Sequence, residues 1–550
     1  KGMVGRLLPD RPSVVHSAIH IMTTPRLFLL IFCLLLSSAP GQAEPIESYI
    51  GRLEKQAIEK KLQVSDEWMA LLHYTRSSLF SGLESEVDSA DFFLSGINGK
   101  SNPRLELVAT LRSFFKPVEA YKAPDLHPQC LFPARLSYLK KQLAIQSDQL
   151  PSPPCKNFNR FFQTLQTKTI TIVYASAYVN SPGSMYGHTF LKFDKHPDDT
   201  RKQLLDLTFN FAANANPADN NLLYSLKGLF GGYHGIYTFP TYHEKLKEYN
   251  DIENRDVWEY RLNFNSEEIN QVIRHIWEIQ KTTFFYFFFD ENCAYRIVAV
   301  LSAGRPSMKI MDRFYFHAIP LNTIRALISG GHVASIQFRP SFTRMIKHYQ
   351  AQLSDQQNHL ALRLAKGYVS VKNEELQAMS DVERSQIFDL SVDYLRQIME
   401  SDQEAEIYKK QQETAYQILL ARSQIQQPFS LERVAMPPFR DDQGHETTRA
   451  SVSVGKLDRQ PFLDLHYRGT YHSLTDPPGG YMIGSELSFF DFQFRLLRLS
   501  ETDSRISIHR LDYIRILSVP ERDTFFQPYS WKFKISTDDD WITGQSHDFT

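Results

Sequence analysis

Two short segments of the chain hold residue types that could perform nucleophilic chemistry. In the first, His188 follows a glycine-containing turn and begins an apolar run that predicts a strand. In the second, Cys293 precedes apolar residues at helical spacing, so it lies in the first turn of a predicted helix. A helix N-terminus favours the thiolate, and a nearby imidazole can take and return its proton. The pair therefore predicts a thiol nucleophile with a histidine base.

Either residue taken alone is more often structural than catalytic. A lone cysteine usually fills a small space in a core, and a lone histidine is usually hydrogen-bonded within the fold. Here the two occur in matching contexts, with Cys293 heading a helix and His188 leading a strand. This combination favours a catalytic pair over two unrelated structural residues.

The use of cysteine supports a special role for Cys293. Of the four cysteines, Cys33 lies within a predicted leader segment. Cys130 and Cys155 lie close together in a proline-rich stretch, and a disulfide between them is expected in an oxidising compartment. Cys293 is left unpaired, so it is either an inert buried thiol or a reactive one.

The N-terminal segment predicts export. Met22 is followed by Arg26, an apolar run over 27–36 and small residues ending at Ala43. This pattern is typical of a secretory signal peptide over 22–43, and the apolar run is short for a membrane span. The residues before Met22 are interpreted as an upstream translation artefact, and an uncleaved anchor is the alternative. We expect a periplasmic or outer-membrane location in a Gram-negative-type envelope.

Length and charge narrow the classes of function. A chain of 550 residues exceeds what one hydrophobic core usually organises, so several domains are expected. The formal net charge of -1 offers no basic surface for nucleic acid, which we exclude as a partner. His234 and His243 flank one segment, but no metal-ligand spacing such as H-E-x-x-H occurs. No metal and no cofactor are expected.

Shifts in composition divide the chain. A proline-rich boundary at 152–154 separates a helical pattern from a β-branched run at 169–174, which predicts a strand. Further strands are predicted at 188–193 and 204–211, and a helix capped by Ser266 follows. The predicted segments are the signal peptide at 22–43, a helical accessory domain at 44–150, an α+β thiol domain at 160–310, a helical region at 311–440 and an antiparallel β domain at 445–550.

The last of these segments alternates apolar and polar residues with a period of two. The alternation is clear over 462–472, 490–496 and 531–535, with a turn at 476–480. Such strands form either an outer-membrane barrel or a soluble antiparallel sandwich, and the pattern slightly favours the barrel. Five or six strands fit before Thr550, fewer than a closed membrane barrel needs, so we expect the chain to be truncated there.

These residues resemble a known family, the Lnb N-terminal periplasmic domain, which is named for a bacterial lipoprotein acyltransferase. The resemblance covers about a quarter of the chain, from 169 to 307. That family looks like a circularly permuted NlpC and papain-type fold, similar to lecithin:retinol acyltransferase, in which the histidine strand precedes the cysteine helix. The motifs that carry the resemblance lie at 184–191, 228–235, 255–260 and 292–293.

The resemblance implies a thioester mechanism. Cys293 would attack an ester or amide carbonyl, His188 would act as base and acid, and the backbone N–H of Cys293 would stabilise the oxyanion. A polar residue on the neighbouring strand should orient the imidazole, and Asn210 is the candidate, with Asp206 behind it. The family motifs also supply expected binding positions, namely Ser184, Tyr186, Asn292 and Tyr233.

Three hypotheses for function follow. The first is a membrane-associated thiol acyltransferase or hydrolase acting on lipid or lipoprotein acyl groups, since related permuted members handle acyl esters. The second is a cell-wall peptide amidase, because NlpC-type relatives use the same chemistry on peptides. The third is an envelope scaffold without catalytic activity. The aromatic run at 284–289 favours acyl chains over peptidoglycan, although such a run is also typical of a buried strand.

Overall fold

The chain divides into two units, residues 1–53 and 54–550. In the first unit, residues 44–53 are described and contain the start of helix α1 (Ile46–Glu59). The predicted signal peptide at 22–43 lies outside the described residues. The computed structural model describes residues 44–549 except 77–81, 180–181, 200, 217, 315–316, 402–403, 458–459, 499–503 and 539–547.

The segment that follows α1 is mainly helical, as predicted, with a two-stranded antiparallel hairpin added. Prolines at the first turn begin three of its helices, where the missing N–H costs no hydrogen bond. A disulfide joins Cys130 to Cys155. The elements are α2 (Asp66–Leu71), β1 (Tyr74–Arg76), β2 (Leu83–Ser85), α3 (Pro103–Phe114), α4 (Pro128–Leu131) and α5 (Pro133–Leu143).

A seven-stranded antiparallel sheet forms the centre of the next domain and confirms the predicted α+β class. Its strand order is β8-β6-β5-β4-β3-β7-β9. The strands are β3 (Thr169–Ala175), β4 (His188–Asp194), β5 (Thr208–Ala213), β6 (Tyr233–Thr238), β7 (Val257–Leu262), β8 (Phe284–Tyr286) and β9 (Val333–Arg339). The helices are α6 (Lys156–Leu165), α7 (Asn221–Leu229), α8 (Tyr242–Leu246), α9 (Ser266–Ile279), α10 (Cys293–Gly304) and α11 (Pro320–Ser329).

Helices cover both faces of the central strands, which explains why β4 is buried along its whole length. Helix α10 packs against β4 and β5 from one side. On the other side, Tyr242 of α8 and Tyr249 of the following π-helical turn pack on Phe190 and Val173. Residues of β4 therefore alternate between two different environments, which separates His188 from Thr189.

The structure corrects three details of the predicted elements. Strand β9 falls in the region predicted as helical and extends the sheet beyond β7. It was missed because it is a half-buried edge strand whose sequence, VASIQFR, alternates weakly. The strand predicted at 204–211 begins later, after a 3-10 turn at Lys202–Leu205. The N-cap of α9 is Asn265 rather than Ser266, with Glu268 completing a capping box.

The following region is helical around its own buried cluster, which includes Leu360, Ile387 and Phe388. Among the described residues, no helix combines the length and apolar character needed to cross a membrane. The helices are α12 (Phe342–Gln350), α13 (Asp355–Ala365), α14 (Glu374–Gln377), α15 (Asp381–Ser401) and α16 (Ala405–Ser423).

The C-terminal strands form a second sheet of six antiparallel strands in sequential order. On one face, Asp464 pairs with Arg495 across neighbouring strands at 2.7 Å. The opposite face exposes apolar side chains, since Val452 lies beside Leu465 in the register and both are more than half exposed. The strands are β10 (Arg449–Leu457), β11 (Gln460–His472), β12 (Ser485–Arg498), β13 (Ser504–Ser518), β14 (Trp531–Asp538) and β15 (Asp548–Phe549).

Candidate functional site

Asn292 fixes the start of the helix that carries Cys293. Its Oδ1 accepts the backbone N–H groups of Ala294 at 3.0 Å and Tyr295 at 3.2 Å, which caps α10. Its Nδ2 donates to the carbonyls of Phe288 at 3.2 Å and Ala318 at 2.6 Å. Asn292 was predicted to bind a ligand, and its buried amide uses both its donor group and its acceptor to position the cysteine.

Cys293 is the first residue of α10, and its thiol is free but only 2% exposed. The sulfur lies against the backbone amides of Thr189 and Ala294 and the phenol of Tyr286. Burial raises the pKa of the Cys293 thiol, and these hydrogen-bond donors offset part of that rise. The thiol is therefore neutral at pH 7 and surrounded by groups that would stabilise its anion.

The sulfur meets Thr189 where the central sheet opens. The amide of Phe193 donates to the carbonyl of Leu207, so the odd-numbered amides of β4 point toward β5. The pairing of β4 with β5 is confined to Leu191 and Lys192. The amide of Thr189 consequently faces a gap between the two strands, and the sulfur of Cys293 takes the place that a strand carbonyl would fill.

His188 and Asn210 bridge the same gap from the opposite face of the sheet. The His188 Nε2 lies 2.6 Å from the Asn210 Oδ1, and the Asn210 Nδ2 donates to the Thr238 hydroxyl at 3.3 Å. Since a carboxamide oxygen only accepts, Nε2 carries the proton and Nδ1 holds the lone pair. The structure thus places Asn210 where it orients the imidazole. Asp206, expected behind Asn210, instead contacts the amide of Lys195.

The surroundings of His188 keep its ring neutral. The pKa of His188 is lowered to about 3, mainly by burial and also by the positive charges of Lys245 and Arg255, while the hydrogen bond to Asn210 offsets part of the shift. The ring also packs beside Tyr249, with centroids 5.5 Å apart. In the described part of the chain, no hydrogen bond joins His188 to Cys293. The two groups lie on either side of one gap as a neutral imidazole and a neutral thiol.

The depressed pKa of His188 predicts a specific loss of stability in acid. Below the ordinary pKa of 6.5, the unfolded chain binds a proton that the folded protein excludes until the pH approaches 3. The free energy of unfolding should therefore fall as the pH drops from 6.5, by up to about 1.4 kcal/mol per unit from this residue. Urea unfolding of wild type and His188→Gln between pH 7 and 4 measures the difference. Parallel pH profiles for the two proteins would contradict it.

The other predicted binding residues have structural contacts. The carbonyl of Ser184 accepts the amides of Tyr178 and Gly187 and so closes the turn before β4. The hydroxyl of Tyr233 donates to Asp219 at 2.5 Å. Tyr186 lies 2.8 Å from the Thr470 hydroxyl and therefore joins this domain to the C-terminal sheet.

Sequence reasoning missed four residues around the sulfur, namely Thr189, Tyr224, Tyr249 and Tyr286. Tyr224 belongs to α7, lies within electrostatic reach of Cys293 and packs on Phe288 at 5.3 Å. The sequence does not reveal that the three tyrosines lie near the sulfur, because they come from three separate elements and tyrosines are common in protein cores. Thr189 alone could have been proposed as a site residue from the sequence, because it directly follows His188.

The fold and site define an α+β domain with a free thiol at a helix N-terminus and a histidine on the adjoining sheet. Residues 157–330 match the family model of the Lnb N-terminal periplasmic domain. The predicted resemblance is confirmed. The match indicates an exported, periplasmic protein.

Three further segments match domains of unknown function: residues 60–142 (DUF7843), 336–434 (DUF7842) and 438–550 (DUF7840). These limits lie near those predicted from composition for the accessory, helical and β segments. No curated protein and no solved structure matches the chain.

Proposed function

We propose that this protein is a cell-envelope acyltransferase or hydrolase that forms an acyl-enzyme on Cys293 with His188 as the base. One observation carries the proposal. The bond between His188 Nε2 and Asn210 Oδ1 leaves Nδ1 as the unprotonated ring nitrogen, and the amide of the next residue, Thr189, contacts the sulfur of Cys293. This division of the two ring nitrogens is the one that a thiol–imidazole–amide triad requires.

The reaction proceeds from neutral groups. As the sulfur attacks an ester carbonyl, the thiol proton passes to the His188 Nδ1, and the resulting imidazolium then protonates the departing alcohol. Water or an amine next attacks the thioester, gives its proton to the imidazole and releases the acyl product. Asn210 holds the ring so that Nδ1 faces the gap throughout.

The amide of Cys293 is the natural oxyanion donor. The neighbouring amides of Ala294 and Tyr295 are bonded to Asn292. The Cys293 amide lies at the positive end of α10 and donates to the phenol oxygen of Tyr286. An oxyanion would compete with Tyr286 for this donor. A tetrahedral oxyanion on a carbonyl attached to Sγ would lie beside this donor.

Chain order supports the permuted papain-like arrangement as part of the proposal. The strand that begins with His188 precedes the helix that begins with Cys293, and Asn210 comes from the neighbouring strand β5, which lies between them in the sequence. In this arrangement the third polar residue orients the histidine from the adjacent strand. This order and the contact of His188 with Asn210 support the proposed similarity to permuted papain-like domains.

Exposed apolar side chains near the site favour a lipid or lipoprotein acyl substrate. Helix α7, which carries Tyr224, exposes Leu226, and Phe230 directly after the helix is 79% exposed. Phe285 on the neighbouring strand β8 is also exposed. An acyl chain entering past α7 would replace water on these surfaces, whereas a cell-wall peptide would find few polar partners there.

The C-terminal sheet supports membrane association in the same proposal. Its face bearing Val452, Leu465, Phe494 and Ile508 presents apolar side chains across four paired strands. Exposed apolar surfaces of this extent indicate an interaction site. We place that site at the outer membrane, where lipid acyl donors are present.

A non-catalytic envelope scaffold is the second candidate, and one observation favours it. The Cys293 thiol is buried with a raised pKa and makes no hydrogen bond to His188 within the described residues. Under this hypothesis the pair would be a packed structural remnant that no acyl group reaches.

A thiol-directed lipid ester probe separates the two candidates. Purified wild-type protein and the variants Cys293→Ala, His188→Ala and His234→Ala would be incubated with the probe in lipid vesicles. His234 is the matched control, because it is an exposed histidine of the same domain, on strand β6. We expect labelling of wild type and the control and none of the other two. Labelling that persists in Cys293→Ala, or no labelling of wild type, favours the scaffold.

A further inference from the structure

A second cluster of reactive side chains lies in the C-terminal domain, outside the thiol site. His445 precedes strand β10, His472 ends strand β11, and Asp476 lies in the turn that follows. One ligand atom from each lies within 4.8 Å of the other two. The His445 Nε2 is 2.8 Å from the His472 Nδ1 and 3.7 Å from the Asp476 Oδ2.

The ring of His445 is fixed in the tautomer that a metal ligand needs. Its Nδ1 lies 2.7 Å from the carbonyl of Glu446, so Nδ1 carries the proton and Nε2 presents a lone pair to the cluster. The ring of Tyr481 stacks on both imidazoles at 4.3 Å, which holds them nearly coplanar. The orientation of both donors is therefore set before any ion binds.

Charge and burial around the cluster also bear on cation binding. His472 is buried, and its Nδ1 faces the Nε2 of His445 inside the cluster. Asp476 is 5% exposed at its side chain and pairs with Arg468 and Arg449. These two cations oppose a metal ion, yet their ion pairs also hold the carboxylate in place.

We propose that His445, His472 and Asp476 bind one divalent transition ion of the zinc class. Two imidazole nitrogens and one carboxylate oxygen suit zinc, whereas magnesium and calcium prefer oxygen ligands alone. Zinc bonds of about 2.0–2.1 Å place tetrahedral donors about 3.3 Å apart, between the two separations quoted above. To bind the ion through Nδ1, His472 takes the tautomer that is protonated at Nε2: the Nδ1 proton passes to solvent, Nε2 takes one up, and the ring stays neutral. A water molecule completes the coordination.

The bound ion would tie together two segments that meet the thiol domain. Thr447, just after His445, accepts a hydrogen bond from Asn322 of α11 at 2.8 Å. Tyr471, just before His472, packs on Tyr186 at 5.3 Å. The ion therefore has a structural role at the contact between the C-terminal sheet and the thiol domain, and this role does not depend on the proposed catalysis.

Calorimetric titration of the metal-free full chain with zinc tests the proposal. We expect one zinc per chain in wild type and a loss of affinity of at least about tenfold in His445→Gln and in His472→Gln. The matched control is His466→Gln, because His466 lies on the same strand as His472 and pairs with Asp491. The control should bind as wild type does. Zinc should also raise the melting temperature of wild type and of the control.

Two results would overturn the metal site: no saturable binding by wild type, or equal binding by all four proteins. Circular dichroism of each metal-free variant shows whether it is folded. If the glutamine variants unfold, zinc binding is measured with Asp476→Asn instead. In addition, cobalt is bound to wild type and its d–d absorption is recorded. A cobalt spectrum without nitrogen coordination would count against the site. A protein that binds zinc but has an inactive thiol would support the metal site and contradict only the proposed catalysis. Failure of the metal site and failure of the proposed function can therefore be told apart.

Discussion

Replacing His188 with glutamine should slow acylation of Cys293 by a factor of about 10² to 10⁴. The variant keeps a side chain of similar length and removes the lone pair on Nδ1, which is the base. The Cys293 thiol has a raised pKa and is neutral, so it needs a base to remove its proton before it can attack. Single-turnover release of the alcohol from a chromogenic acyl ester measures the rate.

Two further variants show whether the loss is specific. Asn210→Ala should give a smaller loss, because the ring would remain but its Nδ1 would no longer be held toward the gap. His234→Gln should retain the wild-type rate. If the acylation rate of His188→Gln lies within about twofold of the wild-type rate, His188 does not act as the base.

Replacing Arg135 with methionine should destabilise the protein by about 3–5 kcal/mol, because it leaves buried charges without a partner. Arg135 of α5 is fully buried and lies 3.0 Å from Glu106 and 3.5 Å from Glu278. Both carboxylates are also fully buried. Glu278 belongs to α9, so the ion pairs join the helical accessory domain to the thiol domain.

The matched control is Arg112→Met. Arg112 pairs with Glu54 at the surface with half of its side chain exposed, and such pairs contribute about 0–1 kcal/mol. Thermal unfolding followed by circular dichroism compares the two variants. Equal melting temperatures for Arg135→Met and Arg112→Met would contradict the assigned role of the buried network.

Local sequence patterns were sufficient to find the main elements of the site. The apolar spacing after Cys293 correctly predicted that this residue begins a helix. The strand that begins with His188 was also correctly predicted. These predictions succeed because helical spacing and a period-two pattern depend on residues a few positions apart.

Contacts between distant segments could not be read from the sequence. The amide of Thr189 meets Cys293 because β4 and β5 diverge, and strand divergence depends on register rather than on residue type. The hydrogen bonds of Asn292 depend on tertiary structure in the same way. Its Nδ2 donates to the carbonyl of Ala318, which lies 26 residues away in the sequence.

Tyr186 shows the same limit at the level of domains. Its motif position suggested a substrate contact, but its ring packs on Tyr471 and Phe489 of the C-terminal sheet. The Lnb-type motif thus includes a residue that meets another domain. No periodicity within 184–191 distinguishes a side chain that contacts a ligand from one that contacts a neighbouring sheet.

The most direct test of an acyl-enzyme is the mass of the protein after brief exposure to a phospholipid of defined acyl length. The protein would be quenched in acid, which preserves thioesters, and then digested to locate the adduct. We predict a mass increase equal to one acyl group, on the peptide that contains Cys293, and its absence in His188→Gln. An unmodified Cys293, or an acyl group on another residue, would contradict the account.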